Sequence, residues 1–219
     1  RDRAGGQAKG RRESGRRQLA HWLTRAEHPL TSRVIVNRLW RHHFGKGIVT
    51  TPSNFGRRGA APTHPELLDY LANRLIEEGW SLKAMHRLML TSRVYRLAVA
   101  DFPACAEIDT GNQFLWRADR RRLDAEALRD SWLAAAGELD LRRPGDHPFP
   151  PMRDWHWTQH NPFKEVYETR HRTVYGMTQR LQKHPFLALF DGPDTNASTE
   201  KRGSSIVPTQ ALYWMNSAE

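Results

Sequence analysis

The residue pattern predicts a mainly α-helical chain: an irregular multi-helix bundle with long loops and room for one short β-hairpin. Three observations carry that expectation. Apolar residues recur at i, i+3, i+4 and i+7 in several windows, the period of a helix with one buried face. Ser, Thr, Asp and Pro stand at the starts of those windows and Gly at the ends, as helix caps require. Between them lie stretches rich in Gly, Pro and polar residues, which read as loops.

Taken in order, residues 14–26 read as a helix with Leu19, Ala20, Trp22 and Leu23 as its buried stripe, ended by His28-Pro29. Thr31 or Ser32 caps a second helix that runs to Phe44, with Gly45 at the C′ position. Residues 45–62 hold four Gly and two Pro, which predicts an ordered loop with short extended pieces. Thr63-x-x-Glu66 forms a capping box with Pro65 in the first turn. The helix that it opens carries Leu67, Leu68, Leu71, Ala72 and Leu75 on one face, with Glu66, Asp69, Asn73 and Glu77 on the other, until Gly79. Ser81 caps the next helix, whose Leu82, Met85, Leu88 and Met89 face inward.

The second half is less regular. Asp124 caps a helix to about Gly137, with Ala125, Leu128, Trp132 and Ala135 buried. Residues 137–170, rich in Pro, His, Trp and charge, form a long irregular excursion of the kind that is often functional. Thr173–Met177 fits a short strand, and His184–Phe190 a short helix. Pro208 starts a last helix with Ala211, Leu212 and Met215 on one stripe. The organisation expected is a disordered basic start, 1–12, followed by a single mainly helical domain, 13–219, cut from a longer protein. No repeat at a solenoid period is present.

Composition is that of a globular protein, 38% hydrophobic and 26% charged, with no apolar run long enough for a membrane span. The lone Cys105 excludes an internal disulfide and a Cys-x-x-Cys-His haem attachment. Net charge is +10, which suggests an acidic partner. Half of that excess, however, falls in residues 1–20, where seven basic residues meet Asp2 and Glu13. The rest is spread thinly, unlike a nucleic-acid groove.

Several side chains are candidates for chemistry. His43 falls in the middle of the apolar half of its helix, and His42 sits at the margin above Arg38. His43 is therefore either a core histidine donating to a loop carbonyl or a neutral site histidine. His64 holds the loop against a helix start, and His86 packs. His156 and His160 have the i, i+4 spacing of a helical metal pair, but the zincin Glu is absent and prolines oppose a helix, so no metal site is assigned. Trp155, Trp157 and Tyr167 either stack on a ligand or fold back over the core. Arg117, Arg120, Arg121 and Arg122 suggest a local network with Asp119, Asp124, Glu126 and Asp130, or alternatively an anion site. Asp191, Asp194, Asn196 and Ser198, with Arg202 nearby, make the strongest late polar cluster; they are turn formers or hard-cation ligands. No Gly-x-Ser-x-Gly, P-loop or dinucleotide fingerprint occurs, so no motif argues for an enzyme.

The runs HPLTSRVIVNRLWRHHFGKGIVTTPSNFG, PTHPELLDYLA, GWSLKAMHRLMLTSRVYR, RRRLDAEALRD, LFDGPDTNAS and VPTQALYWMN stand in a distinctive order and spacing. Together they resemble the C-terminal domain of unknown function, fifteen fifty-three, of planctomycete-type, cytochrome c-associated surface proteins. The resemblance runs from about residue 15 to the end. It implies an exported, periplasmic or cell-surface multidomain parent, with haem only in an upstream domain and no cofactor in this segment. It offers no catalytic residues to carry over. Ser198-Thr199 departs from a Cys found in such proteins, which puts any thiol-based role there in doubt.

The leading expectation is an accessory or interaction domain. It would dock the upstream domains of its parent or an envelope protein, or present Trp155, Trp157, Tyr167 and Arg202 to a glycan, with a link to polysaccharide use. The alternative is a hydrolase-like enzyme that joins Arg38, His42 and His43 to Asp191, Asp194 and Asn196 in one pocket. Nucleic-acid binding through the basic start is third.

Overall fold

The computed structural model describes residues 14–216 and divides into two compact units, one up to Arg120 and one from Arg121. The basic start, 1–12, lies outside the described residues. The architecture is mainly helical, with several helices and long loops, as the residue pattern predicts. Strand pairing among the described residues is limited to one bridge, between Asp140 and His171.

The first unit contains α1 (Arg16–Leu23), α2 (Thr31–Phe44), α3 (Pro65–Glu77), α4 (Leu82–Thr91) and α5 (Pro103–Ile108). Helices α2, α3 and α4 pack on one another around Val36, Leu39, Trp40, Leu68, Leu71, Ala72, Leu75, Met85 and Met89. Burying side chains of this size stabilises by about 1.5–3 kcal/mol each. Leu82 departs from the predicted inward stripe and is half exposed. So does all of α1: none of its residues is buried, and Trp22 merely meets the His28 ring edge-on at 4.4 Å. The amphipathic pattern of α1 is real, but a pattern buries nothing unless another element covers it.

Two caps of this unit differ from expectation, and in the second unit Asp124 stands at the N-cap of the helix 125–135 without a side-chain capping hydrogen bond. The start of α2 is closed by the His28 ring, whose Nδ1 accepts the Thr31 N–H at 3.1 Å, and not by a Thr31 or Ser32 hydroxyl. The Thr63–Glu66 capping box does not form. Thr63 instead turns to the returning loop, its N–H and Oγ1 donating to the Ile48 carbonyl at 2.9 and 3.2 Å. The Ser81 cap forms as predicted, accepting from Ala84 N–H. Gly45 ends α2 at φ 83°, a value only glycine adopts without strain.

The loop 45–64 is ordered by side chains. Asn37, 1% exposed on α2, donates from Nδ2 to the Val49 carbonyl at 3.0 Å and accepts the Val49 N–H at 2.8 Å. Ile48 and Val49 are thereby held in the core. A methyl group at Gly47 would lie 2.5 Å from the Val49 oxygen, so glycine is required beside this clasp.

The second unit contains α6 (Ala125–Ala135), α7 (Pro185–Leu189) and α8 (Pro208–Asn216), with short 3₁₀ turns at Met152–Asp154 and Thr173–Tyr175. The strand expected at 173–177 is thus a 3₁₀ turn over its first half. It packs on α6, which also meets α7. The core is aromatic: Phe186 stacks on Phe190 at 4.5 Å, and Tyr213 and Trp214 close over both. Trp132, predicted buried, is 40% exposed and lies against Trp214 at 4.3 Å; Ala135 is exposed too. On α8 the inward residues are Gln210, Tyr213 and Trp214, whereas Leu212 and Met215 of the predicted stripe face out.

Because Asn37 satisfies both polar groups of Val49 in a dry setting, Asn37→Ala is expected to cost about 3 kcal/mol, since each orphaned buried group costs 1–3. Urea unfolding measures it. Asn73→Ala, on the exposed side of α3, should change stability by less than about 0.5 kcal/mol.

Candidate functional site

The sequence-predicted residues of the first unit sit on α2. Arg38 and His42 are exposed. His43 is half-buried, and its Nε2 lies 2.7 Å from Nδ1 of His86 on α4, with Tyr95 edge-on at 5.7 Å. The expected loop carbonyl is replaced by a second imidazole, one ring donating and the other accepting. His64 keeps its local role, its Nδ1 2.9 Å from Thr63 Oγ1.

Asp191, Asp194 and Asn196 belong to the second unit. Asp191 takes a left-handed conformation, φ 62°, just after α7. Its carboxylate accepts the Ser205 N–H at 2.6 Å and the Ser205 hydroxyl at 2.8 Å, with Arg122 at 3.9 Å. The Ser205 amide first, then the Ser205 hydroxyl and the nearby Arg122 charge, hold its carboxyl below the usual carboxylate range. Asp194 accepts the Asn196 N–H at 3.0 Å in a local turn, while Asn196 donates to the Arg180 carbonyl. Ser205, Arg122 and Arg180 therefore organise this loop. Among the described residues no group of three or more His, Cys, Asp or Glu is placed to hold a metal ion.

The excursion is closed at its neck by Asp140 and His171, with the Asp140 N–H donating to the Arg170 carbonyl at 2.9 Å. Arg142 forks onto the Asp140 carboxylate and holds it well below the ordinary range. Inside the excursion the aromatic residues collect on Phe163: Trp157 lies edge-on at 4.6 Å, Phe149 at 5.5 Å and Tyr167 at 6.2 Å. Trp155 tilts onto Trp157 at 5.3 Å, and its indole N–H donates to the Pro150 carbonyl. Neither apolar core includes these side chains. Trp155 and Phe149 are 48% and 47% exposed. His156 is engaged with the Asp154 carbonyl, and no helix forms between His156 and His160.

Below the neck, the buried Arg129 of α6 donates to the carbonyls of Thr169 and His171 and to Thr173 Oγ1. Beside it Asp130 accepts the N–H and hydroxyl of Thr173 at 2.7 and 2.6 Å. Together they fasten 169–173 to α6. Arg129 was missed because arginine reads as exposed; the signal was its place between Ala125 and Leu133 at four-residue spacing.

A cleft of about 510 Å³ opens against this staple. Its charged lining comprises Asp124, Glu126, Asp130, Arg172, Lys183 and Arg202. Arg202 pairs with Glu126 at 2.5 Å and Asp124 at 3.8 Å, and Arg172 with Asp130 at 3.8 Å. The carboxylates of α6 are thus met by Arg202 and Arg172, while Arg122 of the run that precedes the helix reaches Asp191 and Gln210. Gln179 and His184 also line the cleft, and neither was singled out by its sequence setting.

A family model described as "PSD1: Protein of unknown function (DUF1553)" matches residues 15–219. Comparison with the curated proteins and with the solved structures found no match.

The setting of Asp191 makes a pH prediction. A carboxyl depressed on folding contributes stability that is fully present above about pH 4, its unfolded value. That contribution is lost as pH falls through the folded value. Asp191→Asn keeps the left-handed backbone and is expected to flatten the fall in thermal midpoint below about pH 4. At pH 7 the variant should melt lower than the parent chain in the same scans.

Proposed function

The chain belongs to the PSD1 family of proteins of unknown function (DUF1553), and from that premise we propose that it is an interaction module of an exported, cytochrome c-associated parent. Its working surface is the aromatic excursion, and its ligand a polysaccharide. The observation that carries this reading is the cluster on Phe163: five aromatic residues packed edge-on or tilted against one another outside both cores, with Trp155 and Phe149 left half exposed.

The physical argument concerns cost. Leaving a tryptophan and a phenylalanine half in water forgoes the burial that either core would give. Rigid rings with few rotatable bonds lose little entropy on binding, so they serve well as anchors. A sugar ring offers a flat C–H face to such rings, and Arg153, His156, Lys164 and Glu165, neighbours of these rings in sequence, carry polar groups suited to its hydroxyls. The excursion is tethered at its neck, so it presents this surface from a fixed base.

The engagement of Asp191 with Ser205 and Arg122 favours a structural role for that carboxylate over a hydrolase-like one. Haem, on this reading, belongs to a domain upstream in the parent. Cys105, the single cysteine, cannot form a two-thioether attachment. No described helix is long and apolar enough to cross a membrane.

Affinity electrophoresis through gels carrying plant or algal polysaccharides tests the reading. At least one polysaccharide should retard the chain, and Trp155→Ala should weaken the retardation about tenfold, the effect of losing one anchor. Mobility unchanged in every gel, or retardation that Trp155→Ala and Phe149→Ala leave intact, would overturn it.

A further inference from the structure

We propose that α1 docks the first unit on an anionic lipid surface, lying flat in the interface without crossing it. The inference uses no residue of the aromatic excursion, and it stands or falls independently of the polysaccharide reading.

The sequence of α1 sets apolar and basic side chains apart. At about 100° per residue, Trp22, Leu19 and Leu23 span about 100° of the helix surface, and Arg17 and His21 stand opposite. On α2, α3 and α4 such a stripe is covered by a neighbouring helix. On α1 it is bare: Leu19 is 54% exposed, Trp22 51% and Leu23 36%. The helix is nevertheless tied to the bundle. Trp22 meets the His28 ring edge-on, and that ring holds the head of α2 through Thr31. The bare stripe thus sits on an attached element, with half of the indole still free.

Charge complementarity names the partner. No Asp or Glu occurs between Ser14 and Ala26, whereas Arg16, Arg17 and Arg25 do, all exposed and without an ion pair among the described residues. Of the described residues, 14–120 hold sixteen Lys and Arg against nine Asp and Glu, and 121–216 hold thirteen against twelve. The positive excess therefore belongs to the unit that carries the bare helix. Such a unit is drawn toward a negative surface before contact. On contact, basic side chains meet headgroup phosphates while the apolar stripe enters the acyl boundary. Arg16, at the edge of the stripe, has a stem long enough to reach back to those phosphates. Trp22 suits that depth, being apolar over its ring and polar at its N–H.

Other acidic partners fit this helix less well. A nucleic acid would answer the arginines and leave Leu19 and Leu23 in water. A protein would need more surface than α1 offers. Its eight residues make a strip about 12 Å long. A stable protein interface buries about 1,000 Å² or more, well beyond three side chains.

The test is flotation of the chain with vesicles of phosphatidylcholine alone and of phosphatidylcholine mixed with phosphatidylglycerol, in low salt. At least tenfold more chain is expected to rise with the anionic vesicles. It should be released as salt approaches about 0.5 M, where screening shortens the reach of its charge. Leu19→Gln with Leu23→Gln should lower the bound fraction about tenfold, and Arg16→Gln with Arg17→Gln about tenfold as well. All four positions are exposed, so the melting temperature of the free chain should not move. Arg143→Gln, which removes an exposed charge of the second unit, and Trp155→Ala should leave flotation unchanged. The arginine pair carries the test if the leucine pair does not fold. The proposal is overturned by equal flotation with both vesicle types, by flotation with neither, or by flotation that survives the leucine pair. Binding of duplex DNA in place of vesicles would assign the arginines to a nucleic acid, and a dimer that the leucine pair dissolves would assign the stripe to a second copy. Either result also overturns it.

Discussion

The first unit depends on one buried exchange, the two hydrogen bonds between the Asn37 side chain and the backbone of Val49. Neither half of the loop 45–64 could enter an apolar core with its peptide groups bare, because each bare group would cancel much of what the neighbouring side chain gains. The amide of Asn37 mimics a strand partner, offering one donor and one acceptor to a single residue. Ile48 and Val49 then add their side chains to the core that α2, α3 and α4 share. Thr63 completes the arrangement from the other end, taking the carbonyl of Ile48. A helical bundle acquires in this way a piece of extended chain without any sheet.

The second unit solves the same problem with longer side chains. Its fully buried apolar cluster is small, Ala125 with Phe186 and Phe190. Much of its order comes from side chains that bind backbone far away in sequence. Arg129 and Asp130 hold 169–173, Gln210 donates to the Leu189 carbonyl while accepting from Arg122, and Asp191 holds Ser205. Such contacts fix direction better than apolar packing does, since a hydrogen bond fails at a poor angle. The cleft and the excursion are both attached to this polar framework, so their geometry follows from a few named side chains.

What could be read from the sequence follows from the same physics. The stripes of α3 and α4 were legible because apolar residues at helical spacing there meet partners from the same unit, and Met85 and Met89 are buried as their period requires. Family membership was legible from long ordered motifs. The stripe of α1 misled because amphipathicity records a preference and not a neighbour. On α6 and α8 the buried faces include Arg129 and Gln210, residue types that a hydrophobic pattern scores as outward, so the predicted faces were rotated. The Thr63 hydroxyl had two acceptable uses, a helix cap or the Ile48 carbonyl, and only the path of the loop decides between them. At the cleft, Gln179 and His184 are held by Glu165 and Glu168, and no local spacing encodes that.

The neck between Asp140 and His171 has an evolutionary consequence. The chain leaves and re-enters the framework at adjacent positions, so the span between them can lengthen, shorten or change composition while the two anchor points stay put. The entropy of closing such a loop grows only slowly with its length. The segment can therefore be exchanged as a cassette, its length and composition altered at little cost to the scaffold that anchors it.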